Sequence, residues 1–138
     1  MGLVIDTNIF IDIEQRRLHP ESLGHLEKYD GAYIAAITVS ELLTGVHLAK
    51  SARIRIRRSA FVESVISKVP VLDFDEDVAR TYAEVYSFFI KPRSKKEGNV
   101  HDLQIAATAI TYGYPVLTSN VVDFKKVPGL SIETLTGC

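Results

Sequence analysis

Five oxygen-bearing side chains sit where an α/β chain would deliver them to one edge of its sheet: Asp6, Glu41, Asp102, Asn120 and Asp123. Asp6 ends an apolar run, Leu3-Val4-Ile5. Glu41 and Asp102 open amphipathic stretches. Asn120 and Asp123 follow the run Pro115-Val116-Leu117-Thr118. Three or four carboxylates converging on one rim repel one another and require either protons or a cation. The candidate donors are nearly all oxygen, with His101 the only imidazole near them and Cys138 the only cysteine. Oxygen-only sites suit Mg²⁺ or Mn²⁺ rather than Zn²⁺. Such an ion takes few carboxylates and keeps positions open for a phosphate, an arrangement suited to metal-assisted hydrolysis of a phosphodiester.

Each residue also has a plainer explanation. Thr38 and Glu41 have the spacing of a capping box. Asp102 is placed where a helix N-cap would serve. Asn120 and Asp123 are common turn residues. Asp6 differs from these, because a carboxylate ending an apolar strand is seldom there for solubility. His101 is either a proton donor to a leaving oxygen or an ordinary helix-start residue.

The elements that must position these groups follow from periodicity. Strands are expected at Leu3–Ile5, Ala32–Ala35, Val71–Phe74, Pro115–Thr118 and Leu130–Leu135. Helices are expected from Ile9 to Arg16, Pro20 to about Tyr29, Thr38 to about Lys50, Arg53 to Pro70, Glu76 to Ile90, and from His101-Asp102 to a cap at Gly113. Residues 121–124 read as a loop. Alternating strands and helices predict an α/β fold with a mostly parallel sheet. Right-handed crossovers then point the carboxyl ends of strands 1, 2 and 4 the same way. In such sheets ligands bind just outside those ends. Thr7, Asn8 and Thr118 arrive there too and are expected to hydrogen-bond the carboxylates.

The totals exclude several alternatives. A chain of 138 residues, 46% hydrophobic, is expected to form a single domain with its own core. With one cysteine it makes no internal disulfide, which fits the cytoplasm. The opening apolar run is too short for a signal peptide or membrane span. A net charge of −1 means that any nucleic-acid site needs a local basic patch. Two exist: Arg53, Arg55, Arg57 and Arg58, and Lys91, Arg93, Lys95 and Lys96. The second leads directly into Asp102 and is the preferred substrate-binding set.

Four segments in order resemble the PIN-domain ribonucleases, most closely the VapC toxins of VapBC toxin–antitoxin pairs. They are Asp6-Thr7-Asn8, Ile37-Thr38-Val39-Ser40-Glu41-Leu42, Asp102-x-x-Ile105-Ala106-Ala107-Thr108-Ala109, and Thr118-x-Asn120-x-x-Asp123-Phe124 with Val127-Pro128-Gly129-Leu130 after it. The resemblance spans residues 3 to about 133. It implies a three-layer α/β/α sandwich and an Mg²⁺- or Mn²⁺-dependent endoribonuclease. It also implies an RNA substrate, a VapB-type antitoxin partner and a homodimer. Asp6, Glu41 and Asp102 match the family's first three acids and are the implied metal set. Relatives often carry Asp at the position of Asn120, so either Asn120 or Asp123 completes the site.

Three rival readings remain. A receiver-like phosphoacceptor domain would need a late-strand lysine, and the fourth strand ends in Thr118-Ser119-Asn120. An aspartate-nucleophile hydrolase would use Asp73-Phe74-Asp75, which capping of the next helix also explains. A PIN-like module that binds RNA or protein without cutting is favoured only by Asn120.

Overall fold

A computed structural model of the chain describes residues 1–90 and 99–135. Its centre is β1 (Leu3–Ile5), whose three residues are all buried. β-Branched and leucine side chains on both faces of so short a strand require cover on both sides, which a parallel sheet between helical layers supplies. β1 pairs in parallel with β2 (Ala32–Ala35) on one side and with β4 (Val116–Leu117) on the other. β3 (Val71–Leu72) adds outside β2 and β5 (Ile132–Glu133) outside β4, both parallel. The order β3-β2-β1-β4-β5 makes the five-stranded sheet wholly parallel.

The chain builds outward from β1 to β3, then returns to lay β4 against the opposite edge of β1. The gap between β1 and β4 is therefore the topological switch point, where crossovers leave to opposite faces and a crevice opens at the carboxyl ends. Asp6 directly follows β1 and Thr118 directly follows β4, so the topology alone brings them together.

Both faces are covered. Leu3 and Ile5 pack with Ile9, Phe10, Leu42, Val46 and Val62 beneath α1 (Thr7–Glu14), α2 (Ala36–His47) and α3 (Ala52–Lys68). Val4 and Val116 pack with Val85, Phe89, Leu103, Ala106 and Ala109 beneath α4 (Glu76–Ile90) and α5 (Val100–Tyr112). The alternation of β1 thus feeds two cores, giving three α/β/α layers. The run of small residues in α5 lets that helix lie close to the strands. Gly113 ends it at φ 73°, a left-handed conformation that glycine adopts without steric penalty.

The sequence placed several boundaries differently. Residues Pro20–Lys28 form a 3₁₀ helix rather than an α-helix. Only Leu26 there is buried, so no full apolar stripe favours α geometry. That segment is tied down by Tyr29, whose hydroxyl donates to Glu133 at 2.5 Å. Residues 121–124, expected as a loop, form a short helix, α6 (Val121–Phe124), anchored by fully buried Phe124. β3, β4 and β5 are each two residues long, shorter than expected. Lys91, Arg93, Lys95 and Lys96 lie outside the described residues.

Candidate active site

Two hydrogen-bonded chains converge on the mouth of the β1/β4 crevice. The first holds Asp6. Its backbone N–H donates to Leu117 across the strands at 2.9 Å, and only 1% of the residue is exposed. Thr118, also buried, donates its hydroxyl to Asp6 Oδ2 at 2.8 Å. The same hydroxyl oxygen accepts the backbone N–H of Asn120 at 2.8 Å. The Thr118 hydroxyl therefore fixes the carboxylate to the loop that carries Asn120 and Asp123. The Asn120 side-chain amide in turn donates to Asp123 Oδ2 at 2.9 Å. Lys126 stands 3.5 Å from the other Asp123 oxygen.

The second chain holds Glu41. Thr7 Oγ1 donates to Glu41 Oε1 at 2.7 Å and lies 2.9 Å from the Thr38 hydroxyl oxygen. A threonine hydroxyl has one proton, and a carboxylate can only accept, so that proton is committed to Glu41. His101 Nδ1 lies 3.2 Å from Glu41 Oε2. Glu41 is thus gripped from both sides, by α1 and by α5.

This geometry corrects two simpler explanations. Thr38 is not an N-cap: α2 begins at Ala36, with Ala35 in the capping position and no side-chain cap. Thr38 and Glu41 instead bond to Thr7. Nor does Asp102 cap α5. Asn99 does, its Oδ1 accepting the N–H groups of His101 at 2.9 Å and Asp102 at 3.4 Å. Sequence reading missed Asn99 by leaving it in a loop, although an Asn three residues before an acid is a recognised start signal. Asn8 points its side chain to solvent, and only its backbone N–H lies beside Asp6.

The acids also act on one another through charge. Burial, chiefly, pushes the Asp6 carboxyl up to about 6, with the Glu41 charge adding to it. The Thr118 bond and the N–H groups of Asn8 and Thr7 oppose that rise. Asp102 is likewise pushed up to about 6, first by burial and then by the charges of Asp6, Glu41 and Asp123. Asp123, held by the Asn120 amide and near Lys126, lies below the usual carboxylate range. The residues read from four separate segments therefore act on one another electrostatically. Of the last pair, Asp123 contributes charge, and Asn120 is hydrogen-bonded to it.

The three-acid metal set is less complete than expected. Among the described residues, no three Asp, Glu, His or Cys side chains form a group that could hold an ion. Glu41 has both oxygens engaged, by Thr7 and His101. What remains is a pair of carboxyls, Asp6 and Asp102, that burial first and like charge second push up to about 6. Magnesium needs only one or two carboxylates, with water and phosphate oxygens completing its shell. The donor set fits such a hard cation. It does not fit zinc, which prefers nitrogen and sulfur ligands.

The aspartates of the rival readings are elsewhere. Asp75 accepts the N–H of Val78 at 3.0 Å and so starts α4. It follows β3, the edge strand two places from β1. Among the described residues no helix is long and apolar enough to cross a membrane.

Comparison with known proteins agrees with this architecture. The PIN domain model matches residues 3–130. Over 136 residues the chain is 40% identical to the protein named ribonuclease VapC1 of Rickettsia felis, covering 99% of this chain and 98% of that one. Ribonuclease VapC of Rickettsia bellii is 40% identical over 135 residues, covering 98% and 97%. A solved structure of VapBC2 from Rickettsia felis, bound to a DNA fragment from its promoter, superposes with a TM-score of 0.83 at 25% identity, covering 97% of this chain and 98% of that one. The chain belongs to the PIN-domain family, with the VapC proteins as its relatives.

Proposed function

We propose that this chain is a divalent-metal-dependent endoribonuclease and the toxin of a toxin–antitoxin pair. The observation that carries this reading is the pairing of two high-pKa carboxyls, Asp6 and Asp102, at the switch point of a parallel sheet. The ribonuclease names of relatives that match nearly the whole chain support the reaction class. Solved neighbours that are VapBC complexes support a VapB-type antitoxin as partner. A homodimer is supported by exposed apolar side chains on α4, Tyr86 at 37% and Ile90 at 58%, with Phe74 at 42% just before it. The single cysteine fits a cytoplasmic setting.

Asp6 and Asp102 are the residues that would hold Mg²⁺ or Mn²⁺. When bound, such an ion lowers the pKa of water and offsets charge on a phosphoryl oxygen. Thr118 keeps Asp6 in one rotamer, and the N–H groups beside it favour its ionised form. Glu41, fixed by Thr7 and His101, has lone pairs left to orient the water that attacks phosphorus. Asn120 sets Asp123 at the open side of the site, where its charge favours protonation of Asp102 until a cation arrives. In-line attack by water expels the 3′ oxygen, leaving a 5′-phosphate and a 3′-hydroxyl. No side chain becomes a nucleophile.

The test is incubation of the purified protein with total RNA in Mg²⁺, in Mn²⁺ and in EDTA, alongside Asp6→Asn. Cleavage is expected with either metal, and none in EDTA or with the variant. Equal cleavage by Asp6→Asn would end this reading. RNA binding without cleavage in any metal would favour the non-cutting module.

A further inference from the structure

A strand of RNA entering the site meets a field of one sign, since Asp102 feels the charges of Asp6, Glu41 and Asp123. A polyanion approaching such a rim needs a positive group that holds it there. Among the described residues, two of these acids are touched by a basic side chain. His101 Nδ1 lies 3.2 Å from Glu41, and an imidazole carries charge only when protonated. Lys126 Nζ lies 3.5 Å from Asp123 Oδ1. Of the basic stretches in the sequence, Arg58 answers Glu14 instead, at 2.6 Å, and the set from Lys91 to Lys96 lies outside the described residues.

The backbone fixes where Lys126 stands. α6 begins directly after Asn120, whose N–H is held by the same Thr118 hydroxyl that donates to Asp6. Further on, Phe124 is fully buried and Val127 nearly so. Between these anchors the Lys125 N–H donates to the Val121 carbonyl at 2.9 Å, Lys126 to Asp123 at 3.2 Å and Val127 to Phe124 at 3.1 Å. Residues 120–127 are thus pinned at both ends, and Lys126 is carried at a set place beside the mouth of the site. Its side chain is 40% exposed, so it lies partly against the protein rather than free in solvent. Lys125 is exposed, and among the described residues it forms no ion pair with an acid.

The contact with Asp123 does not use up this lysine. At 3.5 Å it is longer than the ~3.2 Å limit of a good N–H···O bond, and both side chains are open to water. Ion pairs of this exposed kind are weak and exchange readily with other anions. An ammonium has three N–H donors, of which Asp123 occupies one at most. Nor does Asp123 depend on the lysine. The Asn120 amide, at 2.9 Å, is its nearer partner and the first cause of its lowered pKa. Asp123 therefore aims the ammonium, and donors are left for an oxygen from outside.

Resting on the nuclease reading above, we propose that Lys126, aimed by Asp123, binds a backbone phosphate of the RNA at the open side of the acidic site. It holds the strand and takes no part in the bond that is broken. A compact ammonium that donates to a carboxylate on one side suits a phosphate oxygen on the other. The competing account gives Lys126 only the task of offsetting the charge of Asp123. The two differ in what happens when both residues are removed.

The test is a double-mutant cycle on the binding of a short fluorescein-labelled single-stranded RNA, followed by anisotropy in EDTA across a salt series. At about 0.1 M salt K126Q is expected to bind ~3–10-fold more weakly, with the log–log salt slope smaller by ~0.7, the share of one single-strand phosphate. K126R, which keeps the charge, restores most of the binding. The melting temperature of K126Q is expected to stay unchanged, because an exposed pair adds little to stability. D123N/K126Q is expected to bind at least ~3-fold more weakly than D123N. Equal binding by those two variants overturns the proposal in favour of simple charge offset. K125Q removes the same charge one residue away and is expected to lose less than ~2-fold; a loss equal to that of K126Q shows a diffuse field and overturns it too. In Mg²⁺ the K126Q defect in RNA cleavage is expected in KM, and a defect confined to kcat overturns the binding role, as does a wild type that does not bind RNA. If Lys126-dependent binding is found but the wild type cuts no RNA in Mg²⁺ or Mn²⁺, this inference stands and the nuclease reading fails.

Discussion

Replacing Asp6 by Asn is expected to stabilise the metal-free protein while abolishing its activity. The carboxyl is almost wholly buried and held at about 6, against 3.8 for a free aspartate. Between those values the folded protein keeps a proton that the unfolded chain has released. Folding stability therefore falls as pH rises from about 4 to about 6, and stays low above that. A gap of roughly 2 pH units at ~1.4 kcal/mol each gives ~3 kcal/mol lost to ionised Asp6. Asn removes that loss but not for free. Asp6 accepts from Thr118 and faces the N–H groups of Thr7 and Asn8, and an amide nitrogen among these donors forfeits about 1 kcal/mol. The net gain near pH 7.5 is ~1–2 kcal/mol, or a rise of about 4–8 °C in melting temperature. The assay is thermal unfolding in EDTA at about pH 4.5 and 7.5, repeated with Mg²⁺. At the lower pH the advantage should vanish, because wild-type Asp6 is then mostly protonated. Mg²⁺ should stabilise the wild type at the higher pH and leave the variant unmoved. An Asn variant with the same melting difference at both pH values would refute the account of a buried, proton-retaining acid.

Two other substitutions probe the groups around the site. Thr118→Val removes the donor to Asp6 and the acceptor of the Asn120 N–H, so stability should fall by ~1–3 kcal/mol in denaturant titration. Because the Thr118 bond lowers the Asp6 pKa, the acidic limb of the cleavage pH profile should move to higher pH; an unmoved limb would break that link. Arg58→Met leaves Glu14, whose side chain is 12% exposed, without its cation, and should destabilise by ~1–3 kcal/mol. Adding Glu14→Gln should return part of that loss, and additive losses would show that the pair is not coupled.

How much of this was readable beforehand depends on how local each signal is. β1, β2 and α4 lie where periodicity placed them, because each has a clean apolar pattern with a polar or turn residue at one end, Asp6 after β1, Asp30-Gly31 before β2 and Asp75 before α4. The 3₁₀ segment and α6 were misjudged because their conformations rest on distant anchors: Tyr29 on Glu133, and Phe124 within the α5-side core. In the site, Asp6 announced itself by ending a buried strand. Glu41 and Asp102 did not, since spacing alone fits capping equally well. What separates the explanations is a threonine 34 residues away that takes Glu41, and an asparagine that starts α5 in place of Asp102. The first pairing leaves no trace in local sequence, while the second is a local asparagine cap that was passed over as loop.

The arrangement of threonines explains how one pocket tolerates so much negative charge without a cation. Thr7, Thr38 and Thr118 are all buried, and each hydroxyl lies in the hydrogen-bonded chain of a carboxylate. A lysine or arginine in those places would neutralise the acids permanently and compete with any incoming cation. A hydroxyl lowers the energy of the ionised form through one short bond and adds no net charge. Asp6 consequently stays oriented without being neutralised, and burial first, with like charge added, still pushes both Asp6 and Asp102 up to about 6. Under the proposed function, that burial and like charge would favour taking up a divalent cation, which the threonines do not oppose with a charge of their own.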